Sequence, residues 1–232
     1  TVNGIYQANT QHGRNAAFGI IPLGTGSDFI KVLDTVDADD IRGGVARLQN
    51  QKRHKIDLGL VSVAGQGERL LLNAVGIGFD AQAAAEALKI TWITGWPVYY
   101  IAIFRALMNY KPFPMRISYN DQQIVRPMMF ATIANGRNQG ASFLMTPDAH
   151  IDDGLLDVCM VDMLSIPKVL KYIPIIEKGM HTDLKEVTMA TVNEIRVQCD
   201  NDLPVALDGE VFSTTARDIT VKNLHHAIDL LV

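Results

Sequence analysis

Phe18-Gly19-Ile20-Ile21-Pro22-Leu23-Gly24-Thr25-Gly26-Ser27-Asp28-Phe29 holds an apolar run, a glycine-rich turn and the start of a helix in one short stretch. Ala17 to Pro22 is apolar enough for a short buried strand, and Asp28 to Leu33 is expected to be a helix opened by Gly24-Thr25-Gly26-Ser27. Glycine lets successive backbone N–H groups converge, and a helix start adds partial positive charge, so such a turn can cradle a phosphate. No lysine follows in the GxxxxGK[ST] register, which excludes a Walker A loop. Taken alone, a GTG is more often an ordinary strand-to-helix turn.

Outward from this stretch, Asn3 to Thr10 reads as the end of a helix, and Asp39 to Gln49 as a second one with Ile41, Val45 and Leu48 at helical spacing. Lys52-Arg53-His54-Lys55 marks a change of character, either a contact for phosphate or anionic lipid or a solvated connection. Beyond it strands dominate: KIDLGLVSV, RLLLNAVGIG, MRISY, QQIVRP, MMFATIANG, LLDVCMVDM, NEIRVQCD and VALDGE, with turns at Gly65-Gln66-Gly67 and Asn120-Asp121. Two helices interrupt them, one begun by Pro97 and one over 167–178 that Pro174 should bend. The expectation is a partial α/β domain over 1–55, a β-sandwich domain over 56–216 and a segment over 217–232 carrying the strand-like DITVKNL.

Bulk properties exclude several classes. A chain of 232 residues with 48% hydrophobic and 20% charged residues is outside the disordered range. Its net charge of −4 and pI near 5.8 give no field for nucleic acid. The two cysteines, Cys159 and Cys199, sit in apolar runs without a disulfide or CxxC framework, which suits a reducing cytosol. No transmembrane helix is expected, since the longest uncharged stretch, 90–104, is interrupted by Gly95 and Pro97. The chain opens on Thr1 without a leader and is expected to be a fragment.

Two acidic stretches carry further chemistry. Pro147-Asp148-Ala149-His150-Ile151-Asp152-Asp153-Gly154-Leu155-Leu156-Asp157-Val158 groups carboxylates on a tight turn, an oxygen-rich setting suited to Mg2+ or simply a solvated turn. Leu207-Asp208-Gly209-Glu210 sets two acids about a glycine, which on its own is more often a turn than an active site. Trp92 to Tyr100, with Phe104, could meet lipid or face a core or second copy, with Arg105 and Lys111 near head groups. The pair His225-His226 belongs to no zinc-ligand pattern.

Taken in order, these motifs resemble those of the diacylglycerol kinase catalytic superfamily, as found in bacterial soluble lipid kinases. Residues 22–29 are similar to PLGTxNDF, Thr1-Val2-Asn3 to the tail of GGDGTxNE, and 147–158 to PxAxxDDGxLDV. Residues 72–80 are similar to N-x-x-x-G-x-G-F-D, Asn135-Gly136 to a later strand-end NG, and 208–210 to DGE. The chain departs from the pattern in lacking GGDG, in Ser27 for asparagine and in Gly4 for glutamate.

The resemblance implies a Rossmann-like or phosphofructokinase-like α/β nucleotide domain, incomplete here, followed by a β-sandwich, with the active site in the cleft between them. It implies transfer of the γ-phosphoryl group of ATP to a lipid hydroxyl, with diacylglycerol as acceptor and phosphatidylglycerol or a sphingoid base as alternatives. Glu210 would be the catalytic base, helped by Asp208, with Asp28 in a carboxylate and water network around the metal. Thr1, Val2, Asn3, Gly24, Thr25 and Gly26 would contact nucleotide, and Mg2+ would sit at the Asp153 side chain and the His150 and Leu155 carbonyls. The expected setting is cytoplasmic, peripheral at the inner face of the membrane, with a homodimer compatible. On its own, the chain is expected to have little or no activity. NAD kinases share a GGDGT loop, but the DDGLLD and DGE segments argue against that family. A catalytically silent lipid-binding or regulatory module is the rival from another class.

Overall fold

The computed structural model describes residues 2–23, 27–33, 41–93, 97–140 and 143–232, apart from the side chains of Tyr99, Asn109 and Phe113. Thr1, Gly24, Thr25 and Gly26 therefore lie outside the described residues.

Strands alternate or run continuously apolar according to how many of their faces are covered. The described residues place ten strands in one sheet, β3-β2-β10-β9-β4-β6-β7-β8 in order, with β5 bridging β6 and β9 and β1 attached to β10. In chain order these are β1 (Ala17–Phe18), β2 (Arg53–Val63), β3 (Gly67–Leu71), β4 (Ala74–Gly78), β5 (Phe113–Tyr119), β6 (Gln122–Ala134), β7 (Leu156–Asp162), β8 (Val187–Val192), β9 (Glu194–Leu207) and β10 (Glu210–Leu231). Five α-helices accompany them: α1 (Val2–His12), α2 (Ile41–Asn50), α3 (Phe79–Leu88), α4 (Pro97–Asn109) and α5 (Ile166–Glu177). A 3-10 turn covers Phe29–Val32.

Turn chemistry fixes the register. Asn120-Asp121 and Asp208-Gly209 each put two successive residues at positive φ, as the tight hairpin between right-twisted strands requires. β9 passes through Pro204, which lacks a ladder N–H, where its partner changes from β5 to β4. β10 pairs with β9, with β2 and, at Asp229 and Leu230, in parallel with Ala17 and Phe18.

The fold differs from the sequence reading in several elements. RLLLNAVGIG is two strands, broken at Leu72-Asn73, where Asp208 takes the backbone donors. NEIRVQCD and VALDGE belong to one strand up to Leu207. α3 and β8 were not expected, the apolar run near Phe18 is a strand only at Ala17–Phe18, and the helix after Asp28 is a 3-10 turn. Of the α/β unit expected over 1–55, the described residues contain α1, β1, the 3-10 turn and α2. No described helix is long and apolar enough to cross a membrane.

Apolar side chains collect in three clusters. One, including Val75, Ile117, Ile133, Val158, Val205 and Ile219, draws its members from strands β2 to β10. A second packs Phe79, Ala106, Phe130, Val161, Val169 and Tyr172 where α3, α4 and α5 meet it. A third joins Phe18 and Phe29 to Ile56, Leu58, Ile228 and Leu230, tying the amino-terminal elements to the last strand.

Candidate functional site

The β9–β10 hairpin turns at Asp208-Gly209, and its tightness aims the Asp208 side chain back at the β3–β4 break. The Asp208 carboxylate accepts backbone hydrogen bonds from Leu72 (2.9 Å), Asn73 (2.8 Å) and Ala74 (3.1 Å). Desolvation raises the Asp208 carboxyl above the usual range; the three amides oppose this, and the nearby Glu210 charge adds to it. A polar chain leads inward from there. The Asn135 amide N–H reaches the Asn73 carbonyl (2.8 Å), and its side chain donates to the carbonyls of Leu72 (3.1 Å) and Asp57 (2.9 Å).

Asp57 is fully buried, and its carboxylate holds Gly154 N (2.6 Å), His226 N (2.7 Å) and His225 Nδ1 (2.9 Å). The DGE turn and the DDG turn are thus joined by one network through Asn73, Asn135 and Asp57. Sequence reading gave Asn73 and Asn135 no role and passed over Asp57, which lies within an apolar strand pattern.

Beneath the hairpin lies a cavity of about 800 Å³. Its polar end is lined by Ser27, Asp28, Asn73, Asp208 and Gly209; the rest is mostly apolar, walled by α3, α4, α5 and the sheet. α3 makes room for it. Ala83, Ala84 and Ala87 face the cavity, where larger apolar side chains would fill it, and Leu88 on the same wall is 63% exposed. Asp80 and Gln139 also line it, linked by Gln139 Nε2 to Asp80 Oδ2 (2.7 Å). Burial pushes the Asp80 carboxyl up to about 6, against hydrogen bonds from Thr132 and Gln139.

The expected site residues fall into separate places. Asp28 and Asp208 line the same cavity end; Asp28 sits at the start of the 3-10 turn with Lys31 Nζ at 3.2 Å. Glu210 begins β10 just past the turn, 83% exposed, with Arg69 Nη1 at 3.9 Å. Asn3 accepts from Leu70 N at 3.0 Å, one residue along β3 from Arg69. Val2 packs against the third apolar cluster. His150 and Asp153 are exposed on the DDG turn, where Asp153 Oδ1 accepts from Leu155 N at 2.9 Å. Thr1, Gly24, Thr25 and Gly26, expected at the nucleotide, are among the residues not described.

The donor set of the DDG turn fits a hard divalent cation. Burial, then the charges of Asp153 and Asp148, push the Asp157 carboxyl up to about 6, while His150 pulls it down. This is the field of an acid cluster short of positive charge, and its oxygen donors are those Mg2+ or Ca2+ takes.

Residues 73–231 match the family described as the YegS C-terminal NAD kinase beta sandwich-like domain. A diacylglycerol kinase of Mycobacterium tuberculosis (strain ATCC 25618 / H37Rv) is 29% identical over 212 residues, covering 88% of this chain and 68% of that protein. A diacylglycerol kinase of Staphylococcus epidermidis (strain ATCC 12228 / FDA PCI 1200) is 24% identical over 211 residues, covering 90% and 65%. Together they show that the chain spans about two thirds of the length of these relatives. A crystal structure of a diacylglycerol kinase from Bacillus anthracis str. Sterne superposes with a TM-score of 0.66 at 19% identity, covering 93% of this chain and 66% of that one, which supports the fold. The family match extends over most of the chain and contains both acidic motifs, so the chain belongs to the YegS C-terminal, NAD kinase beta sandwich-like family and, with it, to the diacylglycerol kinase superfamily of lipid kinases.

Proposed function

We propose that this chain forms the acceptor-binding and acid-bearing part of an ATP- and Mg2+-dependent kinase that phosphorylates a lipid hydroxyl, with diacylglycerol, the lipid in its relatives' names, as the first acceptor to test. One observation carries this reading: an apolar cavity of about 800 Å³ whose polar end bears Asp28 and Asp208. A pocket of that size and lining suits acyl chains, and its acids lie where a hydroxyl at the head of the lipid would stop.

Phosphoryl transfer needs in-line positioning, neutralisation of spreading negative charge and a group to take the hydroxyl proton. Asp208, fixed by three amides, suits positioning. Glu210, next to it and open to solvent, is free to turn toward the hydroxyl and accept its proton, with Arg69 in reach of its carboxylate. Asp28 would stand in the polar network facing the phosphates. Asp153, with the His150 and Leu155 carbonyls, would hold a structural Mg2+ that keeps the DDG turn in shape. The nucleotide contacts assigned to Thr1, Val2, Asn3, Gly24, Thr25 and Gly26, the two domains, and a peripheral position at the inner membrane surface belong to the same proposal.

The test is transfer of labelled γ-phosphate from ATP to diacylglycerol by the protein in its natural sequence context, with and without Mg2+. Metal-dependent labelling of the lipid is expected, and Glu210→Gln should slow turnover by about 10²- to 10⁴-fold while nucleotide affinity holds. Unchanged turnover in that variant would remove Glu210 from the role of base. Lipid binding without any labelling would favour the silent module.

A further inference from the structure

β2 and β10 pair Leu58 with Leu224 and Ile56 with Ile228, so His225, His226 and Ala227 of β10 together face the single residue Asp57. In a regular strand neighbouring side chains point to opposite faces. Here the bulge and a left-handed His226 (φ +50°) bring both imidazoles together, stacked with ring centroids 3.7 Å apart and 26° between their planes. His225 Nδ1 lies 2.9 Å from Asp57 Oδ1. One nitrogen of each ring and one Asp57 oxygen all fall within 4.8 Å of one another.

The carboxylate in this group is fully buried, and His225 is its only ion-pair partner among the described residues. Buried charges are paired or bound to metal, because an isolated one is costly to desolvate. Asn223 is a second, independent sign. It pairs with Gly59, two residues along β2 from Asp57, so its side chain shares a face of the sheet with that of Asp57. Both polar atoms of the Asn223 amide are buried and without a partner. The exposed rings of His225 and His226 leave the group open to solvent.

The geometry points to a second metal site, in which Asp57, His225 and His226 hold a borderline divalent ion of the Zn2+, Co2+ or Cu2+ kind. Two imidazoles and a carboxylate suit such ions, whereas Mg2+ takes oxygen ligands. A nitrogen and an oxygen on one zinc ion stand about 2.9–3.4 Å apart, so the contact between His225 and Asp57 already has the spacing of two neighbouring ligands. The ion takes the place of the hydrogen between Nδ1 and Oδ1, and the ring carries its hydrogen on Nε2 instead. Asp57 also holds Gly154 N (2.6 Å), so an ion bound here would tie β2 and β10 to the DDG turn. Its donors are distinct from the Asp153 side chain and the His150 and Leu155 carbonyls, and neither lipid nor ATP enters the argument.

The experiment is a calorimetric Zn2+ titration of the protein in its natural sequence context, in a large excess of Mg2+, with Cu2+ paramagnetic resonance beside it. One Zn2+ per chain is expected, with splitting from two nitrogens in the Cu2+ spectrum. His225→Asn keeps an N–H for Asp57, and His226→Asn keeps a residue that tolerates the left-handed backbone. Each should weaken Zn2+ binding by at least about tenfold to a hundredfold and remove one nitrogen from the splitting. His54→Ala is the control, since His54 lies on the same turn, with Nε2 3.0 Å from Asp152 Oδ2, and takes no part in the proposed group. It should leave the affinity unchanged.

Absence of stoichiometric Zn2+ binding would overturn the site, as would its displacement by Mg2+. Unchanged affinity in either folded asparagine variant, or loss of binding in His54→Ala, would overturn it too, because the ion would then be held by other side chains.

Discussion

Asp80 stands at a position that its own ionisation makes unfavourable. Its carboxyl is raised from 3.8 to about 6 because burial outweighs the bonds from Thr132 and Gln139; the Cys159 thiol is pushed up to about 12 by its own burial and then by the Asp80 charge. A carboxyl with a raised folded-state pKa binds its proton more tightly in the native state. Its favourable contribution is therefore complete below about pH 4 and lost as pH rises through about 6. Asp80→Asn should consequently be more stable than the parent at pH 7, by about 1–3 kcal/mol, with the gain shrinking toward zero at pH 4. Denaturant unfolding at the two pH values checks this; a variant that is less stable at pH 7 would mean that the charge is compensated in a way the geometry does not show.

α3 shows why the walls of the cavity were hard to read in the sequence while its acids were not. Asp208-Gly209 is a hairpin turn whose chemistry is local, and Asn120-Asp121 likewise, so both were visible as residue pairs. Phe79–Leu88 has no comparable signal. It begins directly after a strand at Gly78 (φ +93°), without a side-chain cap, and its AQAAAEAL lacks the apolar stripe by which amphipathic helices announce themselves. Those alanines are what the cavity needs, because small side chains leave the volume that leucines would take. Ala84→Phe should therefore fill part of the cavity and weaken binding of a two-chain lipid by tenfold or more. Stability should change by no more than about 1 kcal/mol if the ring lies in space already present. A calorimetric lipid titration beside an unfolding curve checks both. Unaltered lipid affinity in a folded Ala84→Phe protein would place the acyl chains elsewhere. β8, an edge strand with half-exposed residues and only Asn193 between it and β9, escaped for a related reason: its identity depends on pairing with β7.

Across the whole molecule, function depends on long-range pairing that no single motif expresses. The strand-rich body was legible from its apolar runs. That β10 would extend from the DGE turn at Glu210 to Leu231, pairing with β9, β2 and β1, was visible only as the fragment DITVKNL. Leu230 is the test of this coupling. It is fully buried, pairs with His54 on one side and Phe18 on the other, and shares its apolar cluster with Phe29, the residue after Asp28. Leu230→Ala should cost about 2–5 kcal/mol through lost burial and the hole left behind. The loss should be uneven. Amide hydrogen exchange should speed up at Phe18 and over Phe29–Val32, which rest on this cluster, more than in β4, β6 and β7, whose apolar side chains belong to the other two. A uniform increase along the chain would mean that the three clusters unfold as one. A selective increase would mean that the turn presenting Asp28 to the cavity is held in place by the last strand, and that acid placement and carboxyl-terminal pairing are one property of the fold.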